Sequence, residues 1–289
     1  MKLLVKINIA LVAVFGIGLA VTSVLTETVL QENAKREVIE HASLMMEAAM
    51  AARSYTTHEI KPLLGELLQT KFLPQSVPSY AATQSFNQLH QTYPDYSYKE
   101  ATLNPTNPRD RVVDWEADVV SRLRDHPDET QLVGERDTAS GPSLYLARPI
   151  KIKDSACLAC HSTPANAPST MLALYGPGNG FGWKNNEIIG SQIVSVPLSV
   201  PLQQAARAHR LIMGGMLATF AGILVVVNAL FYMMVLRPMH RIAVIADAVS
   251  EGRSDAEQFK TEGSDEIATL GVAFNRMRRS LEKAMAMLG

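Results

Sequence analysis

An α+β domain carried between two apolar helices and followed by a small helical bundle is the architecture this 289-residue sequence predicts. Three observations predict it. Two long apolar runs stand at residues 7–26 and 211–236. Between them, stretches of helical periodicity give way to stretches of strict alternation. After the second run, two short segments repeat apolar residues at three- and four-residue spacing.

The first run, residues 7–26, carries no charge and approaches the roughly 20 residues that cross a bilayer. Lys2 and Lys6 precede it and Glu27 and Glu32 follow, which sets the N-terminus in the cytoplasm. A signal peptide is the rival reading, but no small-x-small cleavage site follows the run. The second run is long enough to span with some tilt. Arg237 and Arg241 follow it, while Arg207 and Arg210 precede it and weaken the charge bias. Asn228 interrupts it, placed to bond a partner helix in a dimer or to bond within a small cavity. The expected order is a cytoplasmic tail at 1–6, a span at 7–28, a periplasmic domain at 29–209, a span at 210–236 and a cytoplasmic region at 237–289. That is a two-span protein of a bacterial inner membrane, with lipid as a partner. A net charge of -1 offers no footprint for nucleic acid.

From about 33 to 69 the pattern is helical, with apolar residues at 38, 42, 45, 49 and 52 and a second face at Ile39, Met46 and Met50. A helix so widely apolar is expected to pack on two sides. Pro62 is expected to kink or end it near Lys61. Helices are also expected at 79–92 and 115–124, the latter capped by Asp114 with Trp115 and Val119 facing inward. Strands are expected at 96–101, 132–141, 143–153 and 187–200. In 143–153 the alternation sets Leu144, Leu146 and Arg148 on one face. Asn104-Pro105-Thr106-Asn107-Pro108 reads as a rigid turn.

The chemistry centres on Cys157-Leu158-Ala159-Cys160-His161, the pattern of c-type haem attachment. Two thiols three positions apart suit the two vinyl edges of one haem, and the next histidine suits its iron. A structural disulfide, a redox dithiol and half of a zinc site would use the same thiols. A zinc site wants four ligands, and the chain has no second cysteine pair. For the second axial position the helix at 33–69 offers Met50 first, then Met46, His41 and His58, with water or no ligand as further options. Methionine is also an ordinary core filler. Arg148 is a candidate for a haem propionate, since a guanidinium matches a carboxylate in bidentate geometry. Trp115, Tyr175, Phe181 and Trp183 are candidate contacts at the haem edge. Prolines 164 and 168 are expected to hold the following loop extended, and its glycines to make a tight turn. No Ser-His-Asp context, HExxH or paired-carboxylate site is present, so an enzyme is not expected.

The tail carries Ile242, Ile245 and Val249 on one segment and Ile267, Leu270, Phe274, Met277 and Leu281 on the next, both bundle seams. With Arg237-Pro238, Gly252 opening the connector and Asp265-Glu266 before the second helix, it resembles a HAMP domain. The preceding region resembles the Tll0287-like haem-binding sensor domain. The resemblance rests on Arg53-Ser54-Tyr55-Thr56 with Pro62, the 98–108 run, Arg148-Pro149, Cys157 to His161 and Gly180-Phe181-Gly182-Trp183.

That resemblance implies a PAS-like fold with N-terminal helices forming part of a haem pocket. It implies covalent haem c held by Cys157 and Cys160, with His161 on the iron. In the family a cysteine of an N-terminal helix supplies the second ligand, and no third cysteine exists here. The expected function is a homodimeric sensor of redox state or of a small gas such as NO, CO or O2. It would relay its signal through the HAMP region to a separate cytoplasmic kinase, phosphatase or cyclase, since no output module follows in this sequence. A membrane-tethered cytochrome for electron transfer is the alternative.

Overall fold

The computed structural model describes residues 3–251, 259 and 265–288. They form two units, Thr26–His209 and Met1–Leu25 with Arg210–Gly289.

The Thr26–His209 unit is built on one antiparallel sheet. Its strands are β1 (Ser97–Thr102), β2 (Leu132–Thr138), β3 (Gly141–Lys151) and β4 (Ile188–Pro197), in the order β1-β4-β3-β2. β2 and β3 form a hairpin that closes at Thr138 and Gly141. β4 lies inside the sheet and is buried at every residue. Its Ile- and Val-rich sequence suits a strand covered on both faces.

The helices, in chain order, are α1 (Leu3–Tyr55), α2 (Lys61–Leu63), α3 (Gly65–Thr70), α4 (Pro78–Thr92), α5 (Asp114–Asp125), α6 (Leu158–His161), α7 (Ser169–Tyr175), α8 (Ser199–Phe231), α9 (Arg237–Ser250) and α10 (Glu266–Leu288). One face of the sheet meets α1 and α4. There Val38, Ala42, Met46, Phe86, Tyr98, Leu144, Leu146, Val194 and Val196 form one core. The other face meets α5, where Val119 and Leu123 pack on Ala101, Leu132, Ala147 and Ile193. Alternation along β1, β3 and β4 sends successive side chains to these two cores. Gly134 of β2 makes room for the second one. A Cβ at that position would lie 2.4 Å from the Tyr145 ring, which tilts against Trp115 at 5.3 Å.

Several expectations are corrected. The apolar run at 7–26 and the helix expected from 33 are one continuous α1, because neither Gly nor Pro stands between 19 and 61. α1 buries a single stripe, Ala34, Val38, Ala42, Met46 and Ala49, rather than two faces, since the sheet meets it on one side. Pro62 does not end the helix at Lys61. A wide turn at Thr56–Ile60 absorbs it, with Lys61 N–H donating to the Thr56 carbonyl. Val113, not Asp114, occupies the cap position of α5, and the Glu116 carboxylate reaches back to accept from Val113 N–H at 2.9 Å. Prolines 164 and 168 do not hold an extended loop. Pro164 starts a 3-10 turn and Pro168 precedes α7, positions that suit a preset φ and a missing N–H.

In the other unit, α1 and α8 supply two helices long and apolar enough to cross a membrane, judged by length and composition. Asn8 and Asn228 exchange reciprocal amide hydrogen bonds at 2.8 and 2.7 Å, and Phe15 stacks on Phe220 at 4.8 Å. Asn228 therefore bonds within its own chain. Pro238 repeats the arrangement at Pro62: Arg237 N–H donates to the Tyr232 carbonyl across a wide turn at Tyr232–Leu236. In α10, Asp265 caps the helix by accepting from Ala268 N–H at 2.7 Å. The stripe buried within this chain is Ala268, Gly271, Phe274 and Arg278. Leu270, Met277 and Leu281 of the expected seam stay exposed. Gly252, expected to open the connector, and Lys2 lie outside the described residues.

Leu146 is fully buried between α1 and the sheet. Leu146→Ala is expected to cost roughly 2–5 kcal/mol of stability, read as a lowered thermal midpoint of the full chain in detergent.

Candidate cofactor site

Three segments distant in sequence converge around His161. The first is the motif itself. Asp154 accepts from Ala156 N–H at 2.8 Å and opens a 3-10 turn at Ser155–Cys157, and α6 carries Cys160 and His161. Both thiols are free and half-buried. The second is the glycine-rich loop. It folds back so that Trp183 N–H donates to the His161 carbonyl and Gly182 N–H to the Ser162 carbonyl. The third is the Asn104–Pro108 turn. Its Asn104 side chain accepts from Gly180 N–H and donates to the Phe181 carbonyl, both at 3.2 Å.

The result fixes the imidazole. Trp183 stacks on it at 3.9 Å with 17° between the ring planes. His161 Nδ1 lies 2.7 Å from the Gly180 carbonyl and 3.4 Å from Thr106 Oγ1. A carbonyl can only accept, so Nδ1 carries the proton and Nε2 keeps the lone pair. That is the tautomer and orientation an axial ligand requires. Burial pushes the His161 pKa below its ordinary value, which favours the neutral ring. Burial also pushes both cysteine thiols up, against the pull of Lys61 on each and of Arg53 on Cys157. The motif therefore stands near Arg53 at the end of α1 and Lys61 at the start of α2.

Along that helix, Glu47, Met50 and Arg53 face a row of three residues paired across adjacent strands, Arg148 on β3, Gln192 on β4 and Glu100 on β1. Arg148 Nη1 donates to Glu47 at 2.7 Å. Gln192 Nε2 donates to Met50 Sδ at 3.4 Å and to Tyr98 Oη at 3.1 Å. Arg53 bonds both carboxylate oxygens of buried Glu100, which also accepts from Tyr98 Oη at 2.8 Å. Burial, with Glu100 alongside, raises the Tyr98 pKa.

The remaining candidates sort by position. Met46 is fully buried in the core, whereas Met50 is 39% exposed. His58 Nδ1 is bonded to the Ser54 carbonyl at 2.9 Å one turn back, and His41 is exposed. Trp115 belongs to the core under α5. Tyr175 packs edge-on against Phe72. Among the described residues no group of three or more His, Cys, Asp or Glu side chains is placed to hold a metal ion. Thr106 and Asn104 were legible only as a turn, and Arg53 and Lys61 only as a family-like stretch and a helix end. Their contacts are long-range and leave no local signal.

Gly180 has φ +83°, and a Cβ there would lie 2.0 Å from Thr106 Oγ1. Gly180→Ala is expected to displace the loop from His161 and to lower the thermal midpoint, at a cost of about 1–3 kcal/mol. A pH effect follows from His161. Its folded pKa is lowered, so the unfolded chain binds more protons as pH falls through about 6.5, and stability falls with it. A Cys157→Ala/Cys160→Ala protein is expected to lose stability in that window. Adding His161→Asn should flatten that part of the loss in denaturant titrations at each pH.

Comparison with known proteins places these features in a family. Residues 31–197, more than half of the chain, match the Tll0287-like family, and residues 230–283 match the HAMP domain. None of the curated proteins matches the chain. A crystal structure of the cyanobacterial haem-protein Tll0287 aligns at TM-score 0.44 and 13% identity, over 56% of this chain and 95% of that one. Sharing so little sequence, it transfers no residue role. The match over residues 31–197, which takes in the sheet, the motif and both loops clamped on His161, makes this chain a member of the Tll0287-like family, here followed by a HAMP domain.

Proposed function

We propose that the chain is a membrane-bound sensor with a covalently attached haem c in a PAS-like domain outside the membrane, and that it relays the state of that site through its HAMP domain. Family membership supports haem binding, and a Tll0287-like domain joined to a HAMP domain is an arrangement for signal relay rather than for catalysis. The observation that carries the covalent assignment is the CxxCH segment, with its imidazole held Nε2-free by the Gly180 carbonyl and the Trp183 ring.

When bound, haem c would supply an iron whose oxidation state or open coordination position answers a redox partner or a diatomic gas. Cys157 and Cys160 would hold the group, and His161 would supply an iron ligand. Met50 is the proposed second ligand. Its sulfur has to leave only one weak hydrogen bond from Gln192 to do so. Arg148 is the proposed propionate contact, exchanging its exposed Glu47 partner for the new carboxylate. Gln192 sits on β4, which runs through Leu198 directly into α8. A change at Met50 therefore meets both α1 and the strand that feeds α8.

The two apolar helices and the domain order support an inner-membrane location with residues 29–209 in the periplasm and 237–289 in the cytoplasm. The exposed Leu270, Met277 and Leu281 support a homodimer through α10. The output is a downstream signalling partner such as a kinase, phosphatase or cyclase.

Expressed in a host that matures c-type cytochromes, the chain should give a haem band that survives denaturing gel electrophoresis, and Cys157→Ala/Cys160→Ala should abolish it. Met50→Ala should convert the ferrous spectrum from six-coordinate low-spin towards high-spin, and an unchanged spectrum removes Met50 from the iron. Deleting residues 242–289 separates relay from electron transfer. Haem reduction should persist while partner output is lost, and an output indifferent to that deletion favours the electron carrier.

A further inference from the structure

A cavity lies in the Thr26–His209 unit, with a volume of about 420 Å³. It is large enough for a small metabolite. Its floor is the α5 face of the sheet, where Ser97 and Ser195 sit opposite each other on β1 and β4. Trp115 and Arg136 line it, and Arg109 and Asn87 border it from the 108–110 turn and α4. None of the residues proposed for the haem lines it.

The charges around it do not cancel. Lys99 pairs with Glu116 at 2.6 Å, and Arg109 pairs with Asp110 at 3.2 Å. Both carboxylates at the cavity are thereby matched to a cation. Arg136 is left over. Its guanidinium lies 4.1 Å above the Trp115 ring and makes no ion pair among the described residues. Stacking on an indole fixes the plane of a guanidinium while leaving its edge donors free. A guanidinium edge presents parallel N–H donors that match one carboxylate. The hydroxyls of Ser97 and Ser195 and the Asn87 amide offer polar partners to the rest of a small ligand.

We propose that this cavity is a binding site for a small hydroxylated monocarboxylate, with Arg136 taking the carboxylate. The site is separate from the motif and does not depend on it, yet the two share a segment. Thr106, which touches His161 Nδ1, lies three residues before Arg109 at the cavity.

Isothermal titration calorimetry of the full chain in detergent tests this with L-lactate as the probe and propane-1,2-diol as its neutral near-isostere. Lactate should give saturable heat with a dissociation constant of about 1 mM or tighter, and the diol none. Arg136→Gln should weaken lactate about 10-fold or more while the absorption spectrum is unchanged. Arg136→Lys, which keeps the charge and loses the fork, should weaken it by a smaller factor and serves if the glutamine variant does not fold. Absence of saturable heat with lactate, equal binding of the diol, or wild-type affinity in either variant overturns the assignment.

Discussion

The registration of α1 on the sheet depends on a polar row at the end of an apolar core. Below it, Val38, Ala42, Met46 and Ala49 supply area but little specificity, since an apolar stripe can slide against an apolar face. Glu47, Met50 and Arg53 give the register specific partners. Each meets its own strand, at Arg148, Gln192 and Glu100 in turn. The Arg53–Glu100 pair carries most of that constraint. Glu100 is 5% exposed, and losing its cation would strand a charge among buried groups. Tyr98 donates to Glu100 and itself accepts from Gln192, which also reaches Met50, so the Arg53 and Met50 contacts are joined in one network.

The same row marks the edge of the site. Burial and Asp154 raise the pKa of the Cys157 thiol and Arg53 opposes them, so the network and the motif share an electrostatic environment. His161 itself is held by the Gly180 carbonyl, the Trp183 indole and a turn fixed by the Asn104 side chain. One wall of the site is thus a side-chain network tied to the first helix. The other is a loop whose conformation depends on a glycine with positive φ at 180.

Much of the fold was legible in the sequence because burial imposes periodicity. The alternation of residues 143–153 gave β3 and its face, including Arg148, and the Pro197 boundary matched the end of β4. The CxxCH motif was legible because its spacing is chemical. Partners were not. Arg148 was visible as an inward guanidinium, but Glu47 stands 101 residues away and no local pattern joins them. Asn228 was visible as a polar break in an apolar run, yet its partner Asn8 is 220 residues distant. The single buried stripe of α1 was missed because alanine and methionine are apolar on every face. Only the position of the sheet decides which of them it covers.

Pro62 and Pro238 each follow a wide turn that begins six residues earlier, with the residue before the proline donating back across five positions. A turn of that kind holds one residue more than the α-helical repeat, and one residue is worth roughly 100° of rotation about the axis. The azimuth of α9 is therefore offset from that of α8 by a fixed angle written into the backbone. The last turn of the apolar run at Tyr232–Leu236, closed just before Pro238, thereby sets the face that α9 presents relative to α8.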